Sequence, residues 1–379
     1  MTRPFLALVL ASLAATASAG DQWLVYFGCY TGGKSSSKGI NVATFDSASG
    51  TLSDPVLAVE TDSPSFLALH PNGKFLYTVG ESATPGFKGG AVSAFAVNRP
   101  GGTLRLLNQA DSTGKGPCHI SVDATGRMAM VANYGGGSVA SFQVKDDGSL
   151  SGPVSFLQHT GSSANPERQS GPHAHSFNRS PDNRYGLVCD LGLDKVFTYK
   201  IDPAAGSFAS EGSASLPLGY GPRHLAFHPT GKFVFVNNEL LLTASTFAYT
   251  AETGALSLVD TVSTLPPEVV DKTGYSTAET VAHPNGKVVY VSNRGHNTIA
   301  VFSCDPATGK LTLIQNAPAE GLTPRNFCLD PSGRWMIVAH QDSNSAALFK
   351  VDSATGKLEF TGRKVPVGGA VCVRFLSAD

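Results

Sequence analysis

A repeat governs what this chain can fold into. Six times the sequence gives an apolar run, a turn of Pro-x-Gly-Lys type and a second apolar run. It reads FLALHPNGKFLYTVGES from Phe66, ISVDATGRMAMVANYGG from Ile120 and HSFNRSPDNRYGLVCDLGL from His175. It reads HLAFHPTGKFVFVNNEL from His224, TVAHPNGKVVYVSNRGH from Thr280 and FCLDPSGRWMIVAHQDS from Phe327. Gly73, Gly126, Asn183, Gly231, Gly286 and Gly333 share the turn position, at intervals of 47 to 57 residues. Gly or Asn there suits a hairpin position that needs positive φ. A second strand pair follows each unit, as in SVASFQV from Ser138, KVFTYKI from Lys195 and TIAVFSC from Thr298. Four short strands in each period of roughly 50 residues are the pattern of a propeller blade.

The spacing predicts about seven blades, one more than the six visible turns. LVYFGCYTGG from Leu24 reads as a second strand without a first, and VCVRF from Val371 reads as that missing first strand. Pairing the two ends closes the ring and removes open edges. The expected fold is therefore an all-β, seven-bladed β-propeller, closed by strands from both termini, in one domain over residues 20–379. Composition agrees, since 41 glycines, 23 prolines and only 15% charged residues suit many short strands and tight turns.

Residues 1–19 read as a secretory signal peptide. Arg3 precedes an apolar run from Phe5 to Ala15, and Ala17-Ser18-Ala19 gives a small-x-small cleavage site. The run is too short to span a bilayer. The expectation is an exported protein, periplasmic or secreted, with no membrane span. A formal net charge of −1 gives no basic face for nucleic acid. Cys29, Cys118, Cys189, Cys304, Cys328 and Cys372 are scattered and form no CxxC pair, so they read as core residues. No metal constellation, nucleophile elbow or phosphate-cradling loop stands out, and no cofactor is expected.

The first strand of each unit begins, and the second ends, at one edge, because they are antiparallel. Residues there should ring the mouth of the central channel. The leading positions hold His119, His173 and His175, Arg223 and His224, Glu279 and Arg325. The trailing positions hold Tyr134, Asp190, Glu239, Arg294 and Gln341. Arginine offers a fixed fork of donors for carboxylate or phosphate. Carboxylate and histidine can act as base or acid. The set suits an anionic ligand with a carbonyl to polarise. Three charges at top-face positions in adjacent units, Arg223, Glu239 and Arg294, point to function, although an ion-pair network would also explain them. His119 and His224 have a plainer structural reading, as partners in turn hydrogen bonds. His173 and His175 alternate, so one faces the channel, and His175 stands nearer the strand. Arg168, in the run Asn165–Gly171, is placed on a loop over the same face. His70, His228 and His283 fall at the opposite end and read as structural.

These segments together resemble the propeller-type lactonase family, which includes 6-phosphogluconolactonases of propeller fold and the fungal 3-carboxy-cis,cis-muconate cyclases. The resemblance rests on SGPHAHSFNRSPDNRYGLVCDLGLDKVFTY, GPRHLAFHPTGKFVFVNNEL, AETVAHPNGKVVYVSNRGHNTIAVF and the opening VYFGCYTGGKSSSKGI. It implies a catalytic set of His175, Arg223, Glu239 and Arg294. His119, His173, His224, Glu279, Arg325 and Arg168 are then expected to bind substrate. It further implies a monomeric hydrolase acting on a sugar-acid lactone, with arginines on the substrate anion and Glu239 or His175 activating water. A cycloisomerase of muconate type and a non-enzymatic ligand-binding propeller are the alternatives. An exported chain also fits an unphosphorylated aldonolactone better than a phosphorylated one.

Overall fold

The computed structural model describes residues 19–379. The expected leader, residues 1–19, lies outside the described residues except for the backbone of Ala19.

The chain forms seven antiparallel sheets arranged as blades. From the centre outward, blade 1 runs Pro64–Leu69, Phe75–Ala83, Gly90–Asn98 and Thr103–Asp111. Blade 2 runs Pro117–Val122, Met128–Asn133, Ser138–Val144 and Leu150–Gln158. Blade 3 runs Ala174–Arg179, Tyr185–Asp190, Lys195–Asp202 and Ser207–Ser215. Blade 4 runs Pro222–Phe227, Phe233–Asn238, Thr243–Thr250 and Ala255–Ser263. Blade 5 runs Ser276–Ala282, Val288–Arg294, Thr298–Cys304 and Leu311–Pro318. Blade 6 runs Pro324–Leu329, Trp335–His340, Ser345–Val351 and Leu358–Pro366.

Blade 7 is shared between the ends of the sequence. Ala370–Ser377 is its inner strand, followed outward by Gln22–Cys29 and Gly39–Asp46. Thr51–Leu52 and Val56–Glu60 both pair with Gly39–Asp46 at its outer edge. Leu24 faces Leu376, Tyr26 faces Arg374 and Phe27 faces Val373. Each inner strand also packs against the inner strands of both neighbouring blades, so the ring is closed.

Second strands are buried on both faces because every blade is sandwiched by two others. In FVFVNN of blade 4, Val234 and Val236 pack with Leu187 and Cys189 of blade 3. Phe233 and Phe235 point the other way, onto Val289 and Val291 of blade 5. That is why the second runs read as continuously apolar rather than alternating. Each such side chain contributes about 1.5–3 kcal/mol. All six cysteines are free, and five are buried.

The repeated turn also joins blade to blade. All six turn positions have positive φ, from 59° at Asn183 to 77° at Gly126. The Nε2 atoms of His70, His228 and His283 lie 2.9, 2.8 and 3.0 Å from the carbonyls of Gly126, Gly286 and Gly333, each in the next blade. Each imidazole therefore carries its proton on Nε2 and donates it. A Cβ on Gly286 would lie 2.8 Å from His228 Nε2, so glycine is needed there for space as well as for φ. His228→Ala is expected to lower the unfolding free energy by about 1–2 kcal/mol in a urea titration, from one buried carbonyl left unpaired. A change below about 0.3 kcal/mol would show that the latch contributes little.

Candidate active site

The inner strands share an irregularity that the sequence pattern does not show. At the top of each one the ladder skips a residue. Pro222 faces Asn238 and His224 faces Asn237, which leaves Arg223 unpaired. The same one-residue bulge falls at Ser65, Cys118, His175 and Arg325. It recurs in blade 5, where Ala278 and Glu279 together lie opposite Ser292, and at Val371 in blade 7. A bulge re-aims its side chain and frees it from the pairing register. Cys118, His175 and Arg325 accordingly line a cavity of about 300 Å³ at the channel mouth.

The second half of the wall comes from residues at or just beyond the upper ends of the second strands. Glu81, Tyr134, Glu239 and Arg294 occupy that position in blades 1, 2, 4 and 5 and complete the lining with Arg168, Gly116 and Gly135. Arg168 arrives from the loop between blades 2 and 3, as its sequence position suggested.

Glu239 is the electrostatic centre. Its Oε1 accepts a hydrogen bond from Arg168 Nη2 at 2.7 Å. Its Oε2 lies 3.0 Å from Arg223 Nε and 3.1 Å from Arg294 Nη2, close contacts of opposite charge without hydrogen-bond alignment. Burial opposes ionisation of this carboxyl, but Arg294, Arg223 and Arg168 outweigh it and hold it at about 2. Arg223 is 2% exposed and donates Nη1 to the Ala278 carbonyl. Burial, with Arg325 and Arg294 nearby, brings Arg223 down to about 10, so it remains charged at neutral pH.

Arg325 differs from the other three. Among the described residues no carboxylate lies within ion-pair distance of it. Its guanidinium stacks 5.4 Å from the Tyr30 ring centroid, and Nη1 reaches Gln341 at 3.5 Å. Tyr30 in turn donates its hydroxyl to Glu81, 3.0 Å from Oε1 and 3.1 Å from Oε2. His175 is buried, and burial together with Arg223 and His224 pushes its imidazole well below its usual range, so it is neutral at pH 7. Burial raises the Cys118 thiol far above its ordinary value, which leaves it protonated and unreactive.

Not every sequence candidate reaches the cavity. His119, His224 and Glu279 form the next layer down. The rings of Phe66 and His119 lie 4.2 Å apart, and His224 lies 5.5 Å from His119. Glu279 accepts His224 Nδ1 at 2.9 Å, the Thr280 amide at 3.0 Å and the Asn326 side-chain amide. Glu279 gathers this polar floor, in which His224 Nε2 is left without a hydrogen-bond partner, and its residues are absent from the cavity wall. His173 sits outside the wall as well: it stacks on Tyr134 at 4.5 Å and bonds the Tyr134 carbonyl through Nδ1 at 2.9 Å. Asp190 accepts His159 Nδ1 at 2.6 Å and the His173 amide at 2.8 Å, a buried structural role.

The structure adds Glu81 and Tyr30 to the site. Both were legible in principle. Glu81 ends the TVGE run at the repeat position that Glu239 holds in VNNE, and Tyr30 holds it in FGCY. Among the described residues, no group of three or more His, Cys, Asp or Glu side chains is placed to hold a metal ion.

Comparison with known proteins gives the same architecture a family. The family described as "Lactonase, 7-bladed beta-propeller" matches residues 24–375. A 6-phosphogluconolactonase of Bacillus subtilis is 36% identical over 309 residues, covering 82% of this chain and 85% of the relative. A 6-phosphogluconolactonase of Formosa agariphila is 35% identical over 314 residues, covering 81% and 86%. The solved structure of a periplasmic gluconolactonase of Pseudomonas aeruginosa superposes with a TM-score of 0.88 at 32% identity, covering 94% of this chain and all of that one. By sequence and by fold, the chain belongs to the seven-bladed β-propeller lactonase family.

Proposed function

We propose that this protein hydrolyses a sugar-acid lactone, as an exported monomer whose leader is residues 1–19 and whose single domain is residues 20–379. The observation that carries the reading is the convergence of three guanidiniums, those of Arg168, Arg294 and Arg325, on one cavity of about 300 Å³ walled by two carboxylates, with a fourth, Arg223, behind Glu239. That volume suits a small ligand. The surplus positive charge suits the oxyanion that forms on a lactone carbonyl, and a phosphate where the substrate carries one.

The roles divide by how each group is already engaged. Arg325, unpaired with carboxylate, takes the substrate's anionic or carbonyl oxygen. Arg294 and Arg168 turn their remaining N–H groups to the carbonyl, and Arg223 supports them from behind. Glu239 is a poor base, since a useful base titrates near the working pH and this one is held at about 2. It is a positioning residue that fixes three arginines in one orientation. Neutral His175 is suited to hydrogen bonding with a sugar hydroxyl or the ring oxygen. His119, His224 and Glu279 support the wall from below, and His173 supports Tyr134.

Names among the relatives support both a phosphorylated and an unphosphorylated substrate. The leader favours an unphosphorylated aldonolactone. The test is a panel of both kinds, assayed by acid release with purified mature protein, with and without chelator. We expect ring opening that survives chelation, and a fall in kcat/KM of at least about 10²-fold in Arg325→Gln. No hydrolysis of any lactone would overturn the reading, as would full activity in the variant. Lactone formation from an unsaturated acid would move the chain to the cyclase alternative. Activity restored only by added divalent cation would overturn its metal-free form.

A further inference from the structure

We propose that Glu81 is the catalytic base that activates water in this cavity, an inference that rests on the lactone-hydrolysing reading. Glu81 and Glu239 occupy the same position in blades 1 and 4, one residue beyond the partner of the inner-strand proline. Both line the cavity. Their surroundings differ in what decides basicity. Glu239 is 5% exposed and has its oxygens against three guanidiniums. A carboxylate held in that way has little affinity left for a proton.

Glu81 is only half-buried and has no guanidinium within ion-pair distance among the described residues. The hydrogen bond it accepts comes from Tyr30, whose single hydroxyl is shared between its two oxygens. One shared donor leaves most of a carboxylate's roughly four acceptor sites open to water. Burial pushes the Tyr30 phenol up to about 12, so at neutral pH it stays a donor and keeps Glu81 in place. The Tyr30 ring also carries the Arg325 guanidinium on its face. Base and anion holder therefore share one support, which fixes their relative position.

The step balances without a further reactant. The oxygen of water bonds to the lactone carbonyl carbon as its proton moves to Glu81. The guanidiniums hold the resulting oxyanion. The ring C–O bond then breaks, and the departing ring oxygen takes a proton from Glu81. The product is the open-chain hydroxy acid, and the carboxylate is regenerated.

The experiment is a kcat and KM measurement across pH for the mature protein and its Glu81→Gln and Glu81→Asp variants, on a lactone that the wild type opens. Glu81 is faced by Tyr30, Arg325 and Cys118, and across the cavity by His175, Glu239 and Arg294. The Gln substitution leaves all of these in place. Its kcat is expected to fall by about 10²–10⁴-fold, with KM within about threefold and the acid limb of kcat/KM lost. The Asp variant, with its carboxylate drawn back by one methylene, should keep the limb at a reduced rate. A Gln variant within about tenfold of wild type, or one that keeps the acid limb, overturns the assignment and leaves the lactone reading standing. A wild type that opens no lactone overturns both. Folding is checked by thermal unfolding. If the Gln variant is unfolded, the Asp variant decides, and a full rate there overturns the assignment.

Discussion

Deleting residues 370–379 is expected to abolish the folded ring and leave a chain that aggregates. The deletion removes the inner strand of blade 7, and with it the ladder that joins Trp23 to Ser377 and Leu24 to Leu376. Val371, Val373 and Leu376 are buried, at 3%, 0% and 7% exposure. Each contributes about 1.5–3 kcal/mol, and the sum approaches the 5–15 kcal/mol typical of a whole domain. The larger effect is geometric. Without this strand, Gln22–Cys29 becomes an unpaired edge with an apolar sequence, and the inner strands of blades 1 and 6 lose the neighbour between them. Size-exclusion chromatography and urea unfolding are the measurements. A soluble monomer with one cooperative transition near that of the full chain would contradict the expectation.

The second large effect belongs to Glu239→Gln. The substitution keeps the shape and removes the charge that Arg168, Arg223 and Arg294 share. Leaving buried cations without their partner costs about 3–5 kcal/mol. The same interaction sets an acid dependence in the wild type. The folded carboxyl sits at about 2, below the ordinary 4.5 of an unfolded glutamate. A depressed folded value means stability that is fully present above pH ~4.5 and lost as pH falls through ~2, amounting to about 3 kcal/mol. Urea titrations of both proteins between pH 7 and 2.5 should show the gap between them narrowing only below pH ~5. A gap under about 1 kcal/mol at pH 7, or one that does not change with pH, would remove Glu239 from the centre of the arginine cluster.

Much of this was legible in the sequence, for a physical reason. A hairpin that demands positive φ leaves Gly or Asn at a fixed place, so Gly73 through Gly333 mark the blades directly. Antiparallel pairing then puts His175, Arg223, Glu239 and Arg294 on one rim without any knowledge of contacts. Depth was not legible. A bulge adds one residue without leaving a signature in the side chains. Arg223 and His224 are therefore adjacent in sequence, yet one joins the arginine cluster and the other the floor. His119 and Glu279 were placed one layer too high for the same reason. Basicity was not legible either, because Glu239 looks like a free carboxylate until its three guanidiniums are seen. Glu81 is legible only by aligning TVGE with VNNE, because no neighbouring charge marks it.

The seven bulges have a consequence for how such a protein can change over generations. Where a residue that bears the ladder also touches ligand, a new specificity tends to cost stability. Here the bulged residue is excused from pairing. Ser65, Ala278 and Val371 hold the same slot as His175 and Arg325 with side chains that make no ionic contact. Those three side chains lie off the cavity wall and are at most 4% exposed, so what a lineage, or an engineer, gives up by rewriting them is burial and not ladder bonds.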